Sequence, residues 1–193
     1  MMRSVSGTAR VVLNGACALL LVGAVTSVGP ALAAGVRICL EAESGEFTKP
    51  MTLYKARDLS GGAAIEVPEG VNPEVKEGEE PPELSGECTI KFTVPKEGTY
   101  TLWGRCWWTD GCGNSFAISL DGGRRATLVS GNYKRWHWVR GPVVRLTAGT
   151  HELKIYNTED GARLDQVFLT SDSGRIPVGK EKVTPAYLVK PKK

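Results

Sequence analysis

The sequence predicts an all-β protein, a two-sheet antiparallel β-sandwich. Apolar residues recur with a period of two over most of the chain. Clusters of Gly, Pro, Asp and Asn interrupt that alternation at short intervals. No stretch of about ten residues carries a helical period. Many short strands at even spacing belong to sandwiches and barrels.

The elements follow in order. Residues 36–42 and 63–67 read as strands. Residues 89–94 alternate polar and apolar, and so do residues 99–103. Pro95-Lys96-Glu97-Gly98 between them is turn chemistry, so the two read as a hairpin. Its register follows from burying both apolar faces together: Val94 opposite Tyr100, Phe92 opposite Leu102, Ile90 opposite Gly104, Cys88 opposite Cys106. Residues 115–120 form another strand, ended by Asp121-Gly122-Gly123. Residues 136–146 form a long one, interrupted at Gly141-Pro142. Thr147-Ala148-Gly149 turns the chain into residues 151–156, and Asp160-Gly161 turns it into a final strand at 164–170.

Composition narrows the class. Of 193 residues, 41% are apolar and 23% charged, which excludes wholesale disorder, collagen and coiled coil. Two His exclude a multi-histidine metal centre. A net charge of +3 is too small to imply nucleic-acid binding. Arg3 and Arg10 precede an apolar run at 11–28, and Ala31-Leu32-Ala33 follows Pro30. Residues 1–33 therefore read as a secretory signal peptide, and the mature protein as secreted or extracytoplasmic, in the periplasm or on the cell surface. No second apolar stretch is long enough to span a membrane.

The rest divides into a domain at 34–173 and a tail at 174–193. The tail carries six Lys or Arg against one Glu and reads as a solvated, frayed terminus. Residues 68–87 hold four Pro and seven Glu, a solvated acidic loop rather than a strand. Cys39, Cys88, Cys106 and Cys112 remain after cleavage. An even count in an exported chain implies two disulfides. The hairpin register gives Cys88–Cys106, leaving Cys39–Cys112; a local Cys106–Cys112 bridge with Cys39–Cys88 is the rival. The absence of a C-x-x-C pair argues against zinc.

Four motifs occur in a fixed order. They are Glu41-Ala42-Glu43; the turn Val94-Pro95-Lys96-Glu97-Gly98-Thr99-Tyr100; Leu146-Thr147-Ala148-Gly149-Thr150-His151; and Arg163-Leu164-Asp165-Gln166-Val167. Together they resemble carbohydrate-binding modules of families 6 and 35, which share a galactose-binding-like jelly roll. The resemblance covers roughly 38–172. It implies a structural Ca²⁺ held by Glu41, Glu43 and Asp165. Oxygen ligands suit a hard cation, and two Glu two apart on a strand share a face.

The same resemblance implies glycan binding without catalysis. Sugars stack apolar faces on aromatics, and Trp107, Trp108 and Trp136 border loops rich in turn residues. Trp138 reads as the core residue of its pair with Trp136. Asp110, Asn114, Asp160 and Arg163 are the candidates to fix hydroxyls or a carboxylate. Arg163 stands where the resembled modules often carry Asn. A guanidinium there suits an acidic sugar or a bridge to Asp160 or Glu159.

No motif selects a catalytic pair of carboxylates, a nucleophile with its base, or a phosphate-binding loop. His151 reads as inward and structural. The expected partner is a glycan or polysaccharide, reached alone, beside a separately encoded glycan-active enzyme, or at a cell-surface component. A structural or adhesive surface protein is the alternative, and a glycan-active hydrolase a more distant one.

Overall fold

The alternation resolves into eleven strands in the computed structural model, which describes Met1 and residues 35–75, 78–80 and 82–190. They are β1 (Arg37–Glu41), β2 (Glu46–Phe47), β3 (Thr52–Lys55), β4 (Ala63–Val67), β5 (Glu87–Val94) and β6 (Gly98–Trp108). Then come β7 (Ser115–Leu120), β8 (Ala126–Val129), β9 (His137–Leu146), β10 (Gly149–Asn157) and β11 (Ala162–Thr170). One sheet runs β3-β4-β11-β6-β9, with β1 also on β11; the other runs β2-β5-β10-β7-β8. Every pairing of strands is antiparallel.

The core lies between the sheets. From the first sheet come Tyr100, Leu102, Cys106 and Trp108 of β6 and Leu164, Val167 and Leu169 of β11. Facing them are Ile90, Phe92 and Val94 of β5 and Leu153 and Ile155 of β10. Each fully buried large side chain stabilises the fold by about 1.5–3 kcal/mol relative to exposure. Trp108 and Phe116 meet across the gap with ring centroids 5.8 Å apart.

The expected hairpin is corrected. Strand β5 pairs with β2 and β10, whereas β6 pairs with β11 and β9. The turn at Pro95-Lys96-Glu97 is an arch that carries the chain from one sheet to the other. The Tyr100 hydroxyl donates to the Lys96 carbonyl across it at 2.6 Å. Alternation identified the inward faces correctly. It does not distinguish strands that pair side by side from strands that face each other through a core.

The disulfides fall with the hairpin. Cys88 is registered with Ile155 and Phe47, and Cys106 with Leu164 and His137. Cys39 sits level with Phe168 on β11, while Cys112 lies in the loop beyond Trp108, which is level with Ala162. Six residues of strand make roughly 20 Å, far outside disulfide reach. All four cysteines are free thiols, three of them buried and Cys112 exposed.

The C-terminal segment is not a solvated end. It crosses the outer face of the first sheet, where the Gly179 carbonyl accepts from Arg105 Nε and Trp138 Nε1, both at 3.0 Å. The Glu181 N–H donates to Gln166 Oε1 at 3.0 Å, and Gln166 Nε2 donates to the Glu181 carbonyl at 3.0 Å. The Thr184 N–H donates to the Cys39 carbonyl at 2.9 Å. The segment then reaches the second sheet, where the Val189 N–H donates to the Lys91 carbonyl at 2.9 Å. Backbone donors and acceptors hold it, so its polar sequence carried no periodic signal. Trp138, expected in the core, lies under this segment on the outer face, edge-on to Phe168 at 6.1 Å.

The acidic insertion is tied to the domain at the places described. Asp160 accepts from the N–H groups of Gly70 and Asn72, and Asn157 Nδ2 donates to Asn72 Oδ1 and the Ser85 carbonyl. The expected signal peptide lies outside the described residues apart from Met1. Among the described residues no helix is long and apolar enough to cross a membrane.

Burial pushes the Cys88 thiol up to about 12 and also raises Cys39 and Cys106 well above the ordinary thiol value. Thiolate is the reactive form. Alkylation of the native protein followed by peptide mapping is expected to label Cys112, with Cys39, Cys88 and Cys106 labelled only after unfolding. A Cys88–Cys106 or Cys39–Cys112 linked peptide would contradict this fold.

Candidate functional site

The pleat of β6 sends Trp108 inward and Trp107 to the outer face of the first sheet. In the register of that sheet, Arg163 of β11 lies between Glu66 of β4 and Trp107 of β6. The Arg163 guanidinium carbon is 4.2 Å from the Trp107 ring centroid and 3.8 Å from that of Tyr54 on β3. Its Nε donates to Glu66 Oε1 at 2.6 Å. Aromatic faces on either side and a carboxylate at Nε fix the plane of the guanidinium. Its two terminal nitrogens have no acceptor among the described residues. The group is therefore oriented before any ligand arrives, which lowers the ordering cost of binding.

Of the sequence-derived candidates, Trp107 and Arg163 meet directly. Arg163 pairs with Glu66 and not with Asp160 or Glu159. Trp136 is half-buried, with the Arg105 guanidinium 5.1 Å from its ring. Trp108 is corrected: its exposure is 0%, its indole N–H donates to Ser130 Oγ at 3.1 Å, and it is a core residue. A cluster of two adjacent Trp on a strand cannot present both rings to one ligand, because successive side chains point to opposite faces.

Asp110, Asn114 and Asp160 belong to the loops at the Trp107 end of the sheet. Asp110 Oδ1 accepts the Cys112 N–H at 2.9 Å. The Asn114 N–H donates to Glu159 Oε2 at 2.8 Å. Together with Asp160, these loops border a cleft of about 240 Å³ that also includes Asn72, Pro73 and Cys112. Tyr54 and Glu66 were missed by sequence reasoning. The signal for Glu66 was present, since it points outward in the alternating 63–67 strand. Nothing in the sequence around Tyr54 marks its ring as a partner of Arg163.

The three acidic candidates also converge, by a different route from the one expected. Strand β1 ends at Glu41, and Glu43 sits in a 3-10 turn, Ala42–Ser44, rather than farther along the strand. Both carboxylates approach Gly61 so closely that a side chain there would collide with Glu43, and its φ of +64° favours glycine as well. Ser60 links the group: its hydroxyl donates to Glu41 Oε1 at 2.6 Å and its N–H to Asp165 Oδ1 at 3.1 Å. Asp165 forms a buried ion pair with Arg105. Glu41 Oε2 and Glu43 Oε2 are buried without a hydrogen-bond partner. Two orphaned carboxylate oxygens are a donor set that suits a hard cation. Among the described residues no group of three His, Cys, Asp or Glu is arranged to hold a metal ion by itself, and Asp165 is paired with Arg105.

His151 is structural, as expected. Its Nδ1 and Nε2 are taken by Asp121 Oδ2 at 2.7 Å and the Thr147 carbonyl at 3.0 Å.

Solved structures with this arrangement of strands include the C-terminal family 6 carbohydrate-binding module of LamC, a laminarinase of Zobellia galactanivorans. It is 17% identical, with a TM-score of 0.50 over 70% of this chain and 99% of that one. The chain has the fold of a family 6 carbohydrate-binding module. A second such module, from Cellvibrio mixtus lichenase 5A in complex with cellotriose, is 17% identical over 68% of this chain and 94% of that one, with a TM-score of 0.50. The Podospora anserina β-(1,4)-mannanase that carries a family 35 module is 20% identical over 73% of this chain, with a TM-score of 0.55. The chain spans 29% of that enzyme's length. It likewise spans 29% of an exo-β-1,3-galactanase from Phanerochaete chrysosporium. No family model and no curated protein matches the sequence.

Within this module fold the acidic cluster has a measurable signature. Burial raises Glu43 from an ordinary value of 4.5 to about 8, with the charges of Glu41 and Asp165 adding to it. The folded state therefore holds a proton that the unfolded chain has released. Metal-free protein keeps this stabilisation below about pH 4.5 and loses it as pH rises through about 8. Thermal melts in EDTA are expected to show Tm falling across that window, with a shallower fall in Glu43→Gln. Equal slopes in the two proteins would contradict the buried carboxyl.

Proposed function

We propose that this domain binds carbohydrate without catalysis, on the outer face of its first sheet at Trp107 and Arg163. The observation that carries the reading is the guanidinium of Arg163, clamped between Tyr54 and Trp107 with both terminal nitrogens free for a ligand. An apolar sugar face stacks on the open part of the Trp107 ring, and Trp136 extends the platform. Arg163 receives a carboxylate or a pair of hydroxyls in two parallel hydrogen bonds. Asp110, Asn114 and Asp160 border the sugar from the adjoining loops. The likeness to modules from glycan-active enzymes supports a glycan as the ligand. In the exported protein, the domain acts on its own or beside a separately made enzyme.

Each stacked aromatic contributes on the order of 1 kcal/mol, so binding falls in the micromolar to millimolar range. Titration calorimetry with neutral and uronic-acid oligosaccharides tests the site. Trp107→Ala is expected to weaken both roughly fivefold to tenfold. Arg163→Ala is expected to weaken the acidic sugar selectively. Unchanged affinity in both variants would remove the site.

A structural Ca²⁺ belongs to the same reading. Glu41 and Glu43 hold it through their orphaned oxygens, and Asp165, oriented by Ser60 and Arg105, bounds the position. The ion neutralises buried carboxylates and stabilises the folded form by mass action. Calcium is expected to raise Tm above its value in EDTA, and the rise is expected to disappear in Glu43→Gln. No calcium-dependent shift and no bound metal in the purified protein would contradict this part.

A further inference from the structure

Strands β8 and β9 end their respective sheets and lie against each other on one side of the sandwich. That side and its turns, residues 121–145, carry Arg124, Arg125, Lys134, Arg135, Arg140 and Arg145 against Asp121 alone. All six cationic residues are exposed. Asp121 is already committed, to His151 and to the N–H of Glu152.

The cations are poorly compensated. Arg145 alone has an acidic partner, Glu97 at 2.7 Å, and both are exposed. Arg125 stacks 3.8 Å above the Tyr156 ring, which leaves its charge in place, and Arg135 donates to Asn132. The side chains of Arg124, Lys134 and Arg140 have no hydrogen-bond or ion-pair partner among the described residues. The fold brings the two ends of this stretch together. Arg124, in the turn from β7 to β8, and Arg145, at the end of β9, line one cleft of about 290 Å³ with Pro142 and Val144. Lys134 and Arg135 stand at the other end of β9, whose ten residues span roughly 30 Å. Elsewhere the domain is acidic, with seven Glu in residues 68–87, so a small net charge conceals a segregated surface.

We propose that this side binds a linear anionic polysaccharide of the polyuronate class, laid along β9. The choice of a glycan rests on the carbohydrate-binding reading above; the choice of an extended anionic chain rests on the strip itself. Cations spread over roughly 30 Å exceed the reach of one or two sugar units, whereas a polymer meets several of them and releases its counter-ions. Like charges in water repel weakly at these separations and are screened within about 10 Å at moderate salt, so the unliganded surface tolerates them.

Affinity electrophoresis of the full exported protein through gels containing polygalacturonate tests the proposal, with a neutral β-glucan gel as the reference. Retardation by polygalacturonate is expected, with affinity falling at least roughly tenfold between about 50 and about 200 mM salt. Arg124→Glu with Arg140→Glu is expected to lower it at least tenfold with Tm unchanged, and Arg124→Lys with Arg140→Lys to preserve it. Short uronic oligosaccharides report on the Trp107 platform separately, and their affinity is expected to be unaffected by the charge reversals. Polygalacturonate binding that survives the charge reversals overturns the proposal. So does stronger charge-dependent binding to duplex DNA or to anionic phosphatidylserine vesicles than to polygalacturonate.

Discussion

Strand β6 is held on both sides, by β11 and by β9, and its pleat sends Trp108 into the core and Trp107 to the outer face. The rest of the molecule is built around that division. Inward, Tyr100, Leu102, Cys106 and Trp108 form the middle of the core. Outward, Arg105 and Trp107 meet the side chains that give the domain its chemistry. A shift of one residue in this strand would exchange the two sets and drive a guanidinium into the apolar core. The two pairings, together with the arch from β5, make such a shift costly.

The outer face is organised by cations stacked on rings and tied to carboxylates. Arg163 lies between Tyr54 and Trp107 with Glu66 at its Nε. Arg105 holds Asp165 and the carbonyl of Gly179, with its guanidinium near Trp136. The two arginines divide the labour. Arg105 is engaged by the protein at Nε and Nη1 and joins the C-terminal segment to the acidic cluster. Arg163 keeps two nitrogens free and is the one placed to recognise a ligand. Burial of Glu41 and Glu43 beside Asp165 then leaves carboxylate oxygens that only a proton or a cation can satisfy.

Much of this was legible in the sequence, for definite reasons. Alternation marked eight of the eleven strands, missing the short β2, β3 and β8, because a half-buried pleat imposes period two whatever the topology. Pairing was not legible. Ile90, Phe92 and Val94 face Tyr100, Leu102 and Cys106 in the core, and the same residues would have alternated identically in a hairpin. The disulfides inherited that error. Trp107 was named from its place beside a turn-rich loop and Arg163 from its motif, and the two lie together; Trp108 was named with its neighbour and is separated from it by the sheet. Tyr54, Glu66 and the docked tail were missed because their roles arise from register and backbone hydrogen bonds, which leave no periodic trace.

The measurement that bears most directly on the division made by β6 is the set of Trp indole N–H resonances in ¹⁵N NMR spectra during titration with a uronic-acid oligosaccharide. The account predicts that Trp107 moves together with the Arg163 Nε–H signal while Trp108, bonded to Ser130 in the core, stays fixed. Movement of Trp108 with Trp107 unmoved, or no movement at either Trp107 or Arg163, would contradict it.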